Sequence, residues 1–366
     1  AQGSGGVFST TSGTSWGPKI SELPNDATYG GNTDNEYTQK FGKQQGKYYV
    51  PQRAAAGLDP WATPQAYDNA KDFFDTGITW SNSLNVAQML DKSSYSISLG
   101  NTHQDGIISS TGMDRYNVKV SADTKLTNNW SSGFTANYIT TSIDKAVTSG
   151  NGLLRTVYAA PPSYDLAGIP SHVDGNPYTQ NSFRGSFDNA YWAMDNNKFT
   201  EDTNRFFGNV YASYQTDFGT TNHKLNAKYM VGVDAYTTHY VDSYGYGSNT
   251  GGGRGQIENY GWTNATYNSL LTINYDWRIN EDWGLNAVLG NEIIQSNRKK
   301  YYEYGTNYNF PGWNHINNAT TQQTEEETWK NRTVGFFGNV SASYKNMLYL
   351  TLTGRQDYVS NMPRNN

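Results

Sequence analysis

The chain has 366 residues, a formal net charge of −5 and no cysteine. This acidic balance argues against nucleic acid as a partner, and the lack of thiols excludes disulfides and thiolate-bound zinc or iron–sulfur centres. Only 36% of the residues are hydrophobic, and no apolar run reaches the roughly 18 residues that a membrane-spanning helix needs. A transmembrane β-barrel remains compatible with this composition, because only alternate residues of its strands meet lipid.

Residues 1–76 are rich in Gly, Ser, Asn, Pro and Tyr and show little periodicity, which predicts loops with short strands. Strand patterns begin near residue 77, and the clearest one covers residues 116–126. Its apolar side chains occupy the even positions and its polar side chains the odd positions, as Tyr116, Val118 and Val120 alternate with Asn117, Lys119 and Ser121. Successive side chains of a strand point to opposite faces, so this strand has one apolar and one polar face.

Further alternating segments follow along the chain and bring the predicted total to about ten strands. They include residues 206–215, 225–236, 263–277, 285–295, 334–344 and 347–358. Short turns separate some of them, and long loops are predicted at 146–203, 244–256 and 298–332. Long strands joined by short turns at one end and long loops at the other are typical of outer-membrane β-barrels. The 29 Tyr and 10 Trp residues also suit the aromatic girdles of such barrels.

A series of motifs runs along the chain: WGPK at residues 16–19, YDNAKDFFDTG at 67–77, DGII at 105–108, DRYN at 114–117, DNAYW at 188–192, EDTNRF at 201–206, GFFG at 335–338 and KNMLYLTLTGRQD at 345–357. In sequence and in order, these motifs resemble those of the SusC/RagA family of TonB-dependent outer-membrane importers. The resemblance implies an all-β fold, a portion of a 22-stranded transmembrane antiparallel barrel with long extracellular loops. It assigns residues 1–76 to an extracellular loop region with short strands, and residues 77–366 to barrel strands and extracellular loops.

The same resemblance implies active import of an oligosaccharide or oligopeptide across the bacterial outer membrane. The partners it implies are a SusD-like surface lipoprotein, outer-membrane lipid, and the TonB-ExbB-ExbD complex acting through a plug domain and TonB box. The plug and the last barrel strands are not in this sequence, so we expect the chain to be a piece of a longer protein.

The candidate binding residues are aromatic side chains in the predicted long loops, where exposed rings near Asn and Asp could bind sugar faces or peptide. They are Tyr158, Tyr191, Trp192, Tyr244, Tyr308 and Trp313. The alternative is that these rings pack the loops against one another or against a partner lid. No catalytic, cofactor or metal site is predicted, since the five histidines are scattered and no nucleophile motif is present.

Two other functional classes remain open at this point. One is a secreted or surface β-rich protein that binds carbohydrate or degrades polysaccharide, although soluble sandwiches usually have strands of about 5–6 residues. The other is a passive porin, which would share the barrel but not the energised transport. The family resemblance favours the importer, which is not an enzyme.

Overall fold

The computed structural model describes residues 1–147, 152–220 and 222–361. The remaining parts of the predicted barrel segment, 148–151, 221 and 362–366, lie outside the described residues. The strands, in chain order, are β1 Gly3–Ser4, β2 Val7–Phe8, β3 Tyr48–Tyr49, β4 Trp61–Ala62, β5 Thr79–Met89, β6 Ser93–Asp105, β7 Gly112–Lys125, β8 Trp130–Lys145, β9 His172–Val173, β10 Asn176–Gln180, β11 Lys198–Thr216, β12 His223–Tyr244, β13 Gln256–Arg278, β14 Trp283–Tyr308, β15 Ala319–Tyr344 and β16 Leu348–Val359. The helices are α1 Glu36–Phe41, α2 Pro51–Ala55, α3 Asn69–Phe73, α4 Leu153–Ala159 and α5 Ala190–Asn196, with 3-10 turns at Ile20–Asn25 and Ile316–Asn318.

Ten long strands, β5–β8 and β11–β16, form one antiparallel sheet in which each strand pairs with the next long strand along the chain. This confirms the predicted all-β antiparallel architecture. Short turns such as 279–282 and 345–347 join the strands at one end of the sheet, and longer segments such as 245–255 and 309–318 join them at the other. We call these the turn end and the loop end.

The predicted loop at residues 298–332 is wrong for most of its length, since only 309–318 lie outside the strands. β14 continues to Tyr308 and β15 starts at Ala319, so Glu325, Glu326 and Glu327 lie in a strand. Both faces of the sheet are polar here, and alternation of apolar with polar residues therefore disappears while the backbone pairing continues. Cross-strand ion pairs replace apolar contacts, with Lys299 Nζ 2.8 Å from a carboxylate oxygen of Glu326.

One face of the sheet carries a continuous band of exposed apolar side chains near the turn end. In β15 these positions run from Val334 to Tyr344, about ten residue steps, which a strand tilted by roughly 40° spreads over about 25 Å. That height matches the lipid-facing band of outer-membrane barrels. Tyr116 and Val118 belong to this band and are 52% and 41% exposed. No second sheet covers them among the described residues, as one would in a soluble sandwich.

Aromatic side chains mark the boundary of this apolar band at the turn end. The rings of Trp130 and Tyr214 lie 5.0 Å apart, and those of Trp283 and Tyr344 lie 4.8 Å apart. Indole and phenol rings combine an apolar body with a polar edge, which suits the boundary between hydrocarbon and water. Among the described residues, no helix is both long and apolar enough to cross a membrane.

At the loop end, the segments before β5 and between β8 and β11 fold onto each other around a small apolar core. Its fully buried members include Leu23, Leu166 and Phe183, with Val157 from α4 and Trp192 from α5. The prediction of an irregular stretch at 146–203 is therefore wrong in part, because this stretch holds two helices and the β9–β10 hairpin. Helices of seven residues show little periodicity, and these two are stabilised by tertiary burial and, in α5, by the side-chain cap of Asn189.

Tyr164 in this loop core provides a stability prediction, because its hydroxyl is buried and has no hydrogen-bond partner among the described residues. Burial also raises the pKa of Tyr164 above its ordinary value. Removing an unsatisfied buried hydroxyl relieves a desolvation cost, so Tyr164→Phe is expected to leave the loop-end stability unchanged or raise it by about 1 kcal/mol. The control is Tyr48→Phe, which removes a buried hydrogen bond of 2.9 Å to the Ser163 carbonyl and should destabilise by a similar amount. Protease cleavage rates of the folded receptor measure both changes. Cleavage of the loop end should be faster in Tyr48→Phe than in Tyr164→Phe, and the reverse order would contradict the prediction.

Candidate functional site

Three of the six predicted aromatic side chains lie on the surface of the loop end. Tyr158, in α4, is 68% exposed, and Trp313 is 44% exposed. The Trp313 ring stacks between Phe310 and His315, with ring centroids 5.9 and 4.9 Å away. Tyr191 is half-buried, and its hydroxyl donates a hydrogen bond of 3.3 Å to the Asp72 carbonyl. These three side chains keep ring surface that a ligand or a partner could contact.

The other three predicted side chains are packed into the loop end. Trp192 is 1% exposed, and its indole N–H donates to the Pro177 carbonyl at 2.8 Å. Tyr308 is fully buried at the end of β14, and Tyr244 is half-buried with its ring at 5.2 Å from Phe199. The rings of these three residues are wholly or partly covered by neighbouring protein atoms, which supports the alternative that they pack the loops against one another. Ligand contact by Tyr158, Tyr191 and Trp313 stays a prediction.

A buried carboxylate fixes two of the loops relative to each other. Asp188 accepts hydrogen bonds from Gln180 Nε2 at 2.7 Å and, across to the 245–255 loop, from Ser248 Oγ at 2.6 Å and the Asn249 backbone N–H at 2.7 Å. Hydrogen bonds to an ionised acceptor are stronger than neutral ones. Asp188 therefore connects the segment between β8 and β11 with the β12–β13 loop.

Sequence reasoning missed a row of side chains on the polar face of the sheet, which is the face that lines the interior of such a barrel. The strand register places Tyr236, Asn264, Arg298 and Trp329 side by side on β12, β13, β14 and β15. They enclose part of a cavity of about 600 Å³ that Thr266, Ser296 and Asn331 also line. We call this the Arg298 row.

Aromatic rings hold Arg298 in the middle of this row. Its guanidinium carbon lies 5.1 Å from the ring centroid of Trp262 and 5.3 Å from that of Trp329. Two of the four residues of the row, Arg298 and Trp329, fall in the predicted loop at 298–332, and the sequence therefore did not predict that they face each other across a strand pair. The alternation of side chains along β15 could have placed Trp329 correctly. Apolar Val334 and Phe336 occupy the outer face, and Trp329, an odd number of positions away, therefore lies on the inner face.

Comparison with known proteins shows which folds this sheet resembles. No protein-family model matches the chain. The chain is 23% identical over 319 residues to TonB-dependent receptor P3 of Formosa agariphila, covering 83% of this chain and 30% of that protein. It superposes on the RagAB peptide transporter with a TM-score of 0.66 and 15% identity, covering 82% of this chain and 34% of that one. The "open-open" state of the RagAB peptide importer gives a TM-score of 0.64 with the same coverage.

The chain thus spans about a third of the length of these proteins. The two-faced sheet, the aromatic boundary and the shared fold place it in the outer membrane and confirm the resemblance to the SusC/RagA family: the chain is similar to TonB-dependent receptors and has the fold of part of their transmembrane β-barrel.

Proposed function

We propose that this chain forms part of the wall and extracellular mouth of a TonB-dependent importer for an oligosaccharide or oligopeptide nutrient. The observation that carries the proposal is the division of one ten-stranded sheet into an apolar band about 25 Å high and a polar face of hydrogen-bonding and charged side chains. Lipid covers the first in this proposal, and cargo passes along the second.

The partners in this proposal follow from the family resemblance. A SusD-like surface lipoprotein lids the loop end, where Tyr158, Tyr191 and Trp313 are candidates for contact with the lid or the cargo. The TonB-ExbB-ExbD complex supplies energy in this proposal, acting through a plug domain and a TonB box. The comparisons are with a receptor and transporters, which supports a role without bond chemistry.

The exposed apolar band argues against the competing class, a soluble sugar-binding or polysaccharide-degrading protein. Leu84 and Leu350 are exposed by more than half in the sheet. In water, a contiguous apolar patch of this size would promote association or aggregation. The polar face alone does not separate an energised importer from a passive porin, and the experiment therefore includes the energy source.

The test measures uptake of labelled oligosaccharide and oligopeptide mixtures by cells that carry the intact receptor, lack it, or lack TonB. We expect uptake of one mixture to need both the receptor and TonB, with the receptor recovered in the outer-membrane fraction. Uptake that needs the receptor but not TonB would indicate a porin. Recovery of the receptor in the soluble fraction without detergent would contradict the proposal outright.

A further inference from the structure

We propose that the Arg298 row binds a saccharide unit that carries an anionic group, either a carboxylate or a sulfate ester. This inference rests on the proposed import function and specifies the cargo and the residues that recognise it. The cavity of about 600 Å³ is of the size that small-molecule sites have. It opens on the polar face of the sheet and reaches the edge of β15, where Thr328, Lys330 and Asn361 also line it.

Arg298 supplies the charge that selects an anionic ligand. Two other arginines of the same face are neutralised by carboxylates, because Arg205 lies 2.6 Å from Asp234 and Arg355 lies 2.8 Å from Glu292. Arg298 has no carboxylate oxygen within 4.0 Å among the described residues, and its guanidinium lies against the rings of Trp262 and Trp329. Rings that hold the guanidinium in place leave its planar fork of N–H groups free for a bidentate contact with an anionic group.

The side chains around Arg298 suit a sugar ring. Trp329 is 45% exposed and Tyr236 lies on the other side of the cavity, so both offer apolar ring surface to the C–H face of a pyranose. The amides of Asn264 and Asn331 can both donate to and accept from hydroxyls. The hydroxyls of Thr266 and Ser296, which also line the cavity, lie 3.1 Å from each other. A polyol presents the alternating donors and acceptors that such a lining satisfies.

Most of the backbone under the cavity argues for a saccharide over a peptide. Extended peptides commonly gain affinity by pairing with an open strand edge. At the Arg298 row, β12, β13 and β14 are each paired with neighbours on both sides and offer no free edge, whereas residues 319–332 of β15 pair only with β14 among the described residues. Recognition over β12, β13 and β14 depends on side chains alone, which favours rings and substituents over a main chain, and a pentapeptide probe tests the open edge of β15.

Isothermal titration calorimetry on the intact receptor in detergent tests this inference with four probes. They are a trigalacturonate, a sulfated carrageenan tetrasaccharide, neutral maltotetraose, and a pentapeptide with a free carboxyl end. We expect one of the two anionic saccharides to bind at least tenfold tighter than the neutral one, and the identity of that saccharide distinguishes carboxylate from sulfate. Arg298→Gln should weaken its binding by tenfold or more, and Arg298→Lys by less.

Lys299→Gln is the matched control, because it removes the same charge from the adjacent residue, which lies on the opposite face of the sheet. The affinity of this variant for the anionic saccharide should stay within twofold of the wild-type value. Trp329→Ala should weaken both anionic and neutral saccharides. Equal loss in Arg298→Gln and Lys299→Gln, binding of neither anionic saccharide, or Arg298-dependent binding of the peptide alone would overturn the inference. TonB-dependent uptake that persists unchanged in Arg298→Gln would remove this site while leaving the importer intact, whereas loss of TonB dependence in the wild type would remove the importer itself.

Discussion

Replacing Val210 with arginine is expected to lower the free energy of unfolding of the intact receptor by about 2–4 kcal/mol, since the charge would face hydrocarbon near the bilayer midplane. Val210 lies on the apolar face of β11, between Phe134 of β8 and Val231 of β12. Denaturant unfolding of the receptor in lipid vesicles, followed by tryptophan fluorescence, measures the change.

Asn209→Arg is the matched control for this substitution. Asn209 is the preceding residue, its cross-strand neighbours are Thr135 and Gly232, and its side chain lies on the polar face. The same charge placed there can reach water, so the expected change is within about 0.5 kcal/mol. If both variants lose the same stability, the apolar band does not face lipid.

Truncating Trp192 to alanine is expected to destabilise the loop end by about 3–5 kcal/mol, as for other large buried side chains. The indole is 1% exposed, packs in the loop core and donates to the Pro177 carbonyl. Because the ten-stranded sheet does not depend on this side chain, unfolding should be local. Amide hydrogen exchange should therefore accelerate in 152–197 while the strands below stay protected.

The control for the loop core is Tyr158→Ala, which removes an aromatic ring of the same region that is 68% exposed. Exchange in 152–197 should change little in this variant, because exposed positions contribute little to stability. Faster exchange throughout the sheet in Trp192→Ala would show instead that the loops and the barrel wall unfold together.

The sequence predicted those strands in which successive side chains alternate between an apolar and a polar environment. In 334–344, apolar side chains face one side and polar side chains the other, and the strand was found. The extension of β14 beyond residue 295 was missed because Arg298, Lys299 and Lys300 place charge on both faces, and water solvates both. Hydrophobic periodicity detects a strand by the difference in polarity between its two faces. It gives no signal where both faces are polar.

The candidate site shows a related restriction. Trp192 and Trp313 have the same residue type and similar Asn-rich surroundings in the sequence, but one is a core residue and the other is on the surface. Burial of a loop residue depends on which distant segments cover it, and composition does not encode that. Trp329 was missed for a similar reason, since its neighbours across the sheet come from residues that lie more than thirty positions away.

The length of the strands has a consequence for where energy is needed. β15 extends beyond Val334 to Ala319, so the sheet projects roughly 35–40 Å past the hydrocarbon on the loop side. Arg298 and Trp329 lie within this projecting part, about 10–15 Å outside the lipid boundary. Cargo held there would still be on the environmental side of the bilayer. Under the proposed import function, capture would then proceed at equilibrium, and work from the inner membrane would be required only for the later passage through the lipid-spanning section.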